Sequence, residues 1–491
     1  MSALTVLLGA LIPLYIAYSI WSWHRLSHIP GPFWAAWTKF WIIRESYFGR
    51  QPTTLRDVTD RYGTLARVGP NELVTSDPEL LRKIMSVRSA YSRGPWYDAW
   101  KLEAGTHNLF SMRDEVAHTS LRKKMTAGYS GKENESMEQT IEIQVAKLIE
   151  LIKSKYVSSA SSYRSVDLAE KLQYLTLDVI SDLAFGKPLG YLQQDADPYD
   201  YLQSMDASMP VLAVLGNIPW LADLFHSPLL RRFLPSELDK GGFGALIGFS
   251  KRVVAERFDE TAVSQPDMLG SFIRHGLDQK AAAGEALLQV VAGTDTTATG
   301  LKIIMMHIMT NPTVYKRLQE EIDSSVANGT VSSPVKDIEA RQMPYLQAVI
   351  KEGLRMKSPA GGAFFKTVPS GGDVINGLFV PAGTEIGVSH LSFLHSKQIF
   401  GSDAMVFRPE RWLEADPEYL TKMNSVVDLI FHAGKYQCLG KSVALMEFNK
   451  LFVELLRAFD FSIVNVEKPA HVTNAGVWLI KDFWVRISLR Y

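Results

Sequence analysis

The chain has 491 residues and a single cysteine, Cys438, set among residues whose types and spacing suit a reactive centre. Residues 426–431 read as an extended apolar run, 432–437 as a loop, and a helix opens at Cys438 or just after. A thiol at a helix N-terminus is favoured as the anion, because unpaired N–H groups and the helix dipole both stabilise negative charge. Gly434 lets the loop turn tightly, Gly440 lets a flat ligand come close, and Phe431 gives apolar cover. The chemistry is that of a shielded, hydrogen-bonded sulfur anion facing a planar group. Two other readings stay open at this point. The stretch ends in Gly440-Lys-Ser442 as a phosphate-binding P-loop does, but five residues separate Gly434 from Gly440 where that loop has four. A lone cysteine is also commonly a buried core residue. Disulfide frameworks and Cys-x-x-Cys metal sites are excluded.

The elements that must position this centre are mostly helical. Helical periodicity covers 134–155, 281–310, 343–356 and 438–459, whereas strand-like runs occupy 364–388 and 461–488. The 281–310 segment is apolar except at its middle, where Gly293, Thr294, Asp295, Thr296 and Thr297 cluster. Asp295 and Lys302 interrupt it too closely for a membrane span. Lys and Arg number 52 against 52 Asp and Glu, so a nucleic-acid binder has no electrostatic basis. Hydrophobic residues make up 46% and charged residues 21%, which suits a globular body, read as one large domain over 51–491. Ahead of it, residues 1–23 hold no charged side chain and predict one transmembrane helix, with Trp21 and Trp23 at the interface. A cleaved signal peptide is the alternative reading. Arg25, Lys39, Arg44 and Arg50 follow that stretch and place the body in the cytosol, which leaves the sequons at Asn134 and Asn328 unmodified. His28-Ile-Pro-Gly-Pro32 reads as a stiff hinge within a linker over 24–50.

Phe431-His-Ala-Gly434-Lys-Tyr-Gln-Cys438-Leu-Gly440 resembles the haem-binding signature of the cytochromes P450. Three further signatures follow that family's order: Ala292-Gly-Thr-Asp295-Thr296-Thr297, Glu352-Gly-Leu-Arg355 and Pro409-Glu-Arg411-Trp412. The resemblance spans essentially the whole chain. It implies the mainly α cytochrome P450 fold with small β-sheets, with Cys438 as the axial ligand of a haem b iron and Phe431, Gly434 and Gly440 around it. It further implies that Glu352, Arg355 and Arg411 form a buried charged triad fixing the haem loop, and that Asp295 and Thr296 deliver protons to dioxygen.

This sequence departs from the pattern at His432, where glycine is usual, and at Tyr436, where arginine is usual. One cation for a haem propionate is thereby missing, and His118, Arg122 and Lys366 are expected to hold the propionates. The implied enzyme is a haem-thiolate monooxygenase of the endoplasmic reticulum membrane, with its catalytic domain cytosolic. Its electrons come from NADPH through a separate diflavin reductase, docked on Lys123, Lys124, Lys435 and Lys441. The wording around the cysteine is similar to the fungal branch that includes pisatin demethylase-like enzymes, which implies a hydrophobic small molecule of secondary metabolism. Trp96, Trp100, Phe110, Phe364, Phe365 and Val477 are its expected contacts. A haem-thiolate isomerase or dehydratase needing no external electrons is the alternative, and a non-haem nucleotide binder or scaffold a third reading.

Overall fold

The computed structural model describes residues 3–490, and side chains from Pro13 onward. Seven helices matter for the site: α1 (Ala3–Arg25), α2 (Glu115–Tyr129), α3 (Leu168–Phe185), α4 (Tyr201–Gly216), α5 (Gln279–Thr310), α6 (Pro344–Met356) and α7 (Lys441–Ala458). Helices α2, α3 and α5 start on side-chain caps. Asp114 accepts from the Val116 and Ala117 amides at 2.9 Å each, Asp167 from Ala169 at 2.9 Å, and Asp278 from Ala281 at 2.9 Å. Helix α3 is buried around nearly its whole circumference and packs along α5, so the two form the centre of the body.

Among the described residues, four small sheets flank the helices. The largest runs in the spatial order Leu65–Arg67, Glu72–Thr75, Glu385–Val388, Lys366–Thr367, Ser92–Arg93. Its last pair is antiparallel with Arg93 opposite Lys366, which brings two cations from distant parts of the chain side by side. A second sheet orders Ser165–Asp167, Trp484–Leu489 and Phe459–Ile463, and two hairpins complete the set. One apolar core runs from Ile42 to Ile487. The mainly helical fold with small sheets therefore stands as expected.

One local expectation does not hold. Residues 426–431 are helical rather than extended: Pro417–Val427 is an α-helix continued by a single 3-10 turn, Asp428–Phe431. Asp416 caps that helix at the Tyr419 amide, 2.9 Å away, and Pro417 sits at its first position.

The expected transmembrane helix is not found either. Among the described residues no helix is long and apolar enough to cross a membrane, and part of the 1–23 stretch lies outside what is described. One side of the last turns of α1 rests on the body, while Ile20 and Trp21 stay exposed. Ser19 and Ser22 are buried there. The Ser22 hydroxyl donates to the Pro70 carbonyl at 2.5 Å, the Arg67 guanidinium donates to the Ser22 carbonyl at 2.9 Å, and Trp23 stacks on Trp37 at 5.7 Å. Leu26 and Ile29 then join a small core with Leu73, Val380 and Ile386.

Candidate active site

The cysteine loop is shaped by two left-handed residues. Gly434 has φ +56°, and a Cβ there would sit 2.2 Å from the Met85 carbonyl oxygen, so only glycine fits. It packs against that carbonyl, outside the cavity wall, and gives no open anion cradle of the P-loop kind. His432 takes φ 58° despite its side chain, and its ring lies edge-on to Phe364 at 4.8 Å. The Cys438 amide closes the loop on the Phe431 carbonyl at 2.8 Å.

Cys438 opens onto a cavity that Phe431 and Gly440 also line, so it is not a core cysteine. Enclosure by the surrounding protein raises its thiol pKa. The amides of Gly440 and Lys441, at the start of α7, together with the charges of Arg122 and Lys441, act in the opposite direction.

One end of the cavity concentrates positive charge. Arg93, His118, Arg122 and Tyr436 line it. The Arg93 guanidinium lies 4.9 Å from the Tyr436 ring centre, and Lys366 and Lys435 approach the same ring at 4.4 and 5.1 Å. Lys366 stands behind that wall rather than in it, its amine given to the Tyr97 hydroxyl. Burial, then Arg93, push the Lys366 amine well below its ordinary value. Burial, then the charges of Arg93, Arg122, Lys366 and Lys435, lower the His118 pKa to about 3, so its ring is neutral. Glu115 is the nearby counter-charge, already held by Lys435 at 2.9 Å and by the Tyr436 hydroxyl at 2.5 Å. Arg93 Nε and both ring nitrogens of His118 are buried without a partner. A planar group carrying two carboxylates would satisfy the orphan donors and the excess charge together, and Cys438 would ligate its metal, so the residues fit haem.

Sequence reasoning named His118, Arg122 and Lys366 but missed Arg93. Its signal is the strand pairing opposite Lys366, which a single sequence does not display.

On α5, the Thr296 hydroxyl donates to the Ala292 carbonyl at 2.8 Å and faces the cavity. Asp295 is differently engaged. Its Oδ1 accepts from Gln173 Nε2 at 2.5 Å and its Oδ2 from the Tyr201 hydroxyl at 2.8 Å, while Lys302 donates to Gln173 Oε1 at 2.5 Å. Burial lifts the Asp295 carboxyl to about 6 against the pull of Tyr201, Lys302 and Gln173, and burial drops Lys302 to about 8. The predicted pair is therefore adjacent, but its acid is clamped by α3 and α4. Gln173, Tyr201 and Lys302 carry no motif that marks them.

The triad forms as expected, lies outside the cavity wall and ties α6 to the 394–412 segment. Glu352 receives two bonds from Arg355 at 2.8 Å, one from Arg411 Nε at 2.9 Å and one from Trp412 Nε1 at 2.9 Å. Arg355 also holds the carbonyls of Leu394 and Ala404 at 2.8 and 2.7 Å. Burial works to raise Glu352, but the two guanidinium groups win and keep it below the usual carboxylate range.

Trp96, Trp100, Phe110, Phe364 and Val477 line the cavity with Leu109, Met209 and Leu288. The aromatics contact one another, Trp96 with Trp100 at 5.3 Å and with Phe364 at 5.4 Å. Phe365 does not line it; its ring lies against Gly387 in the neighbouring strand.

Comparison with known proteins agrees with this geometry. The family model "Cytochrome P450" matches residues 28–482. "Cytochrome P450 monooxygenase ABA1" of Pyricularia oryzae is 41% identical over 491 residues, covering 98% of this chain and 96% of that protein. "Cytochrome P450 monooxygenase aba1" of Botryotinia fuckeliana is 40% identical over 467 residues, covering 94% and 92%. "Pisatin demethylase" of Fusarium vanettenii is 30% identical over 451 residues, covering 89% and 85%. With the four motifs in order, a cysteine sulfur on a charged and aromatic cavity, and these matches along almost its full length, the chain belongs to the cytochrome P450 family of haem-thiolate monooxygenases.

Proposed function

We propose that the protein inserts one oxygen atom of dioxygen into a hydrophobic, multi-ring small molecule of fungal secondary metabolism. Electrons reach it from NADPH through a separate diflavin reductase. The observation that carries this is a single cavity bearing the Cys438 sulfur, the Thr296 hydroxyl and a wall of tryptophan and phenylalanine. The relatives are fungal, and one is by name a demethylase, which supports oxidation of an apolar metabolite.

Cys438 would hold the haem through its iron, and Arg93, Arg122 and His118 would hold its propionates. Bound there, haem supplies the iron at which dioxygen is reduced. The Gly440 and Lys441 amides keep negative charge on the sulfur. Trp96, Trp100, Phe110 and Phe364 bind and orient the substrate and exclude water. Thr296 presents its hydroxyl oxygen to the cavity and passes on a proton that Asp295 supplies once it lets go of Tyr201.

Of the four lysines expected to dock a reductase, Lys123 is exposed. Lys124 is bonded to the Gly276 carbonyl at 2.6 Å, Lys435 is paired with Glu115, and Lys441 is paired with Asp428 at 2.9 Å. Lys123 is accordingly the first contact we assign to that partner. A location at the cytosolic face of the endoplasmic reticulum suits such a partner.

The test is a carbon monoxide difference spectrum of the reduced protein, followed by turnover with reductase. A strongly red-shifted Soret band, absent in Cys438→Ala, and NADPH-dependent products gaining one oxygen are expected. Absence of the band from folded protein would sink the haem assignment, and product formed without NADPH would replace oxygenation by isomerisation or dehydration.

A further inference from the structure

Helix α5 carries a second acid that proton delivery does not use. Glu285 is 1% exposed, and its Oε1 accepts a 2.6 Å hydrogen bond from the main-chain amide of Leu109. Leu109 and Phe110 belong to a loop, 101–112, that forms part of the cavity wall. Helix and loop also meet at the preceding residue. A Cβ on Gly284 would lie 3.2 Å from the Thr106 methyl and 3.8 Å from the His107 carbonyl oxygen, so the helix surface is cut back where the loop rests.

The same loop is braced from within. Arg93 Nη1 donates to the carbonyls of Leu109 and Met112 at 2.8 and 2.9 Å, and Asn108 Oδ1 accepts from the Phe110 and Ser111 amides at 3.0 and 2.8 Å. Among the described residues, the Leu109–Glu285 bond is the one hydrogen bond between this loop and α5. Burial lifts the Glu285 carboxyl to about 8 against the Leu109 amide and Arg93, so near neutrality it is an uncharged acid.

We propose that Glu285 is a positioning residue that docks the 101–112 loop on α5, fixing where Leu109 and Phe110 stand over the cavity and hence which ring systems it admits. The proposal rests on the oxygenase pocket described above. A braced loop fastened to the central helix through one amide behaves as a panel: its shape persists while its seating changes. Removing the acceptor leaves the Leu109 amide buried without a partner, which the loop relieves by lifting.

Hydrogen exchange of the full chain tests the docking with no need for turnover. Exchange in the 102–112 segment is expected to rise about tenfold in Glu285→Leu, the size of one lost hydrogen bond, with the rest of α5 unchanged. Glu285→Gln, which keeps a carbonyl acceptor and matches the uncharged acid, should stay at the wild-type rate. Gly284→Leu, which wedges the loop away and leaves Glu285 in place, should reproduce the increase. In haem-loaded protein, Glu285→Leu should also change the ratio of imidazole to 4-phenylimidazole affinity by about tenfold while retaining the carbon monoxide band. Unchanged exchange in both Glu285→Leu and Gly284→Leu overturns the docking, and faster exchange with an unaltered imidazole ratio overturns its part in selectivity. Failure of the oxygenase reading shows separately, as a wild type without the carbon monoxide band.

Discussion

Asp295 and Thr296 are neighbours in sequence with different commitments: the hydroxyl faces the cavity, and the carboxylate is held by Gln173 and Tyr201. If Thr296 is the last proton carrier, Thr296→Ala retains haem while product per NADPH consumed falls about tenfold to a hundredfold. Measuring NADPH loss and product in one reaction checks this, and unchanged coupling removes Thr296 from the relay. Tyr201 helps hold Asp295 down at about 6. If Asp295 is the proton donor, it loses its proton as pH rises through that value, so coupling falls on the alkaline side. Tyr201→Phe removes a lowering contact, the carboxyl pKa rises, and the fall moves to higher pH. A pH profile of coupling that does not move would exclude Asp295 as the titrating group. At this scale Cys438, Thr296 and Arg122 were legible because each sits in a local pattern. Gln173 and Arg93 were not, since their partners lie far along the chain at Asp295 and Lys366, and only folding brings them together.

Helix α6 supplies Glu352 and Arg355 three residues apart, and the segment after it supplies Arg411. Removing the carboxylate leaves two buried guanidinium groups unpaired, and breaking a buried ion pair from one side costs about 3–5 kcal/mol. Glu352→Ala should therefore unfold at markedly lower temperature and carry little haem, as read by thermal denaturation and the ratio of Soret to protein absorbance. A variant of normal stability and full haem content would reduce the triad to decoration. Backbone conformation explains one error at this scale. Phe364 takes φ 48°, outside the extended region that the sequence suggested, and its ring reaches the cavity while Phe365 packs on Gly387. The 426–431 run was misread for a different reason: a short apolar stretch does not separate strand from helix, and the deciding signals, Asp416 and Pro417, lie ten residues upstream.

Taken whole, the molecule is a main apolar core around α3 and α5 with a smaller one beside it, and the family motifs made that architecture legible before any helix was placed. At the N-terminal stretch, the contacts of Ser22 and Trp23 with residues 37–70 were not legible, because counting uncharged residues says nothing about which side chains the body will claim. The lone thiol has a consequence of the same scope. In protein without cofactor, Cys438 takes one equivalent of a maleimide, slowly at neutral pH because enclosure raises its pKa and faster as pH rises, since the thiolate is the nucleophile. If Cys438 ligates the haem iron, loaded protein takes none. Mass spectrometry of labelled protein should show two populations whose ratio tracks Soret absorbance, and uniform labelling of fully coloured protein would contradict sulfur ligation. With no other cysteine to blur the count, each molecule reports its own loading, and the chain serves as its own assay for how much of a preparation is competent.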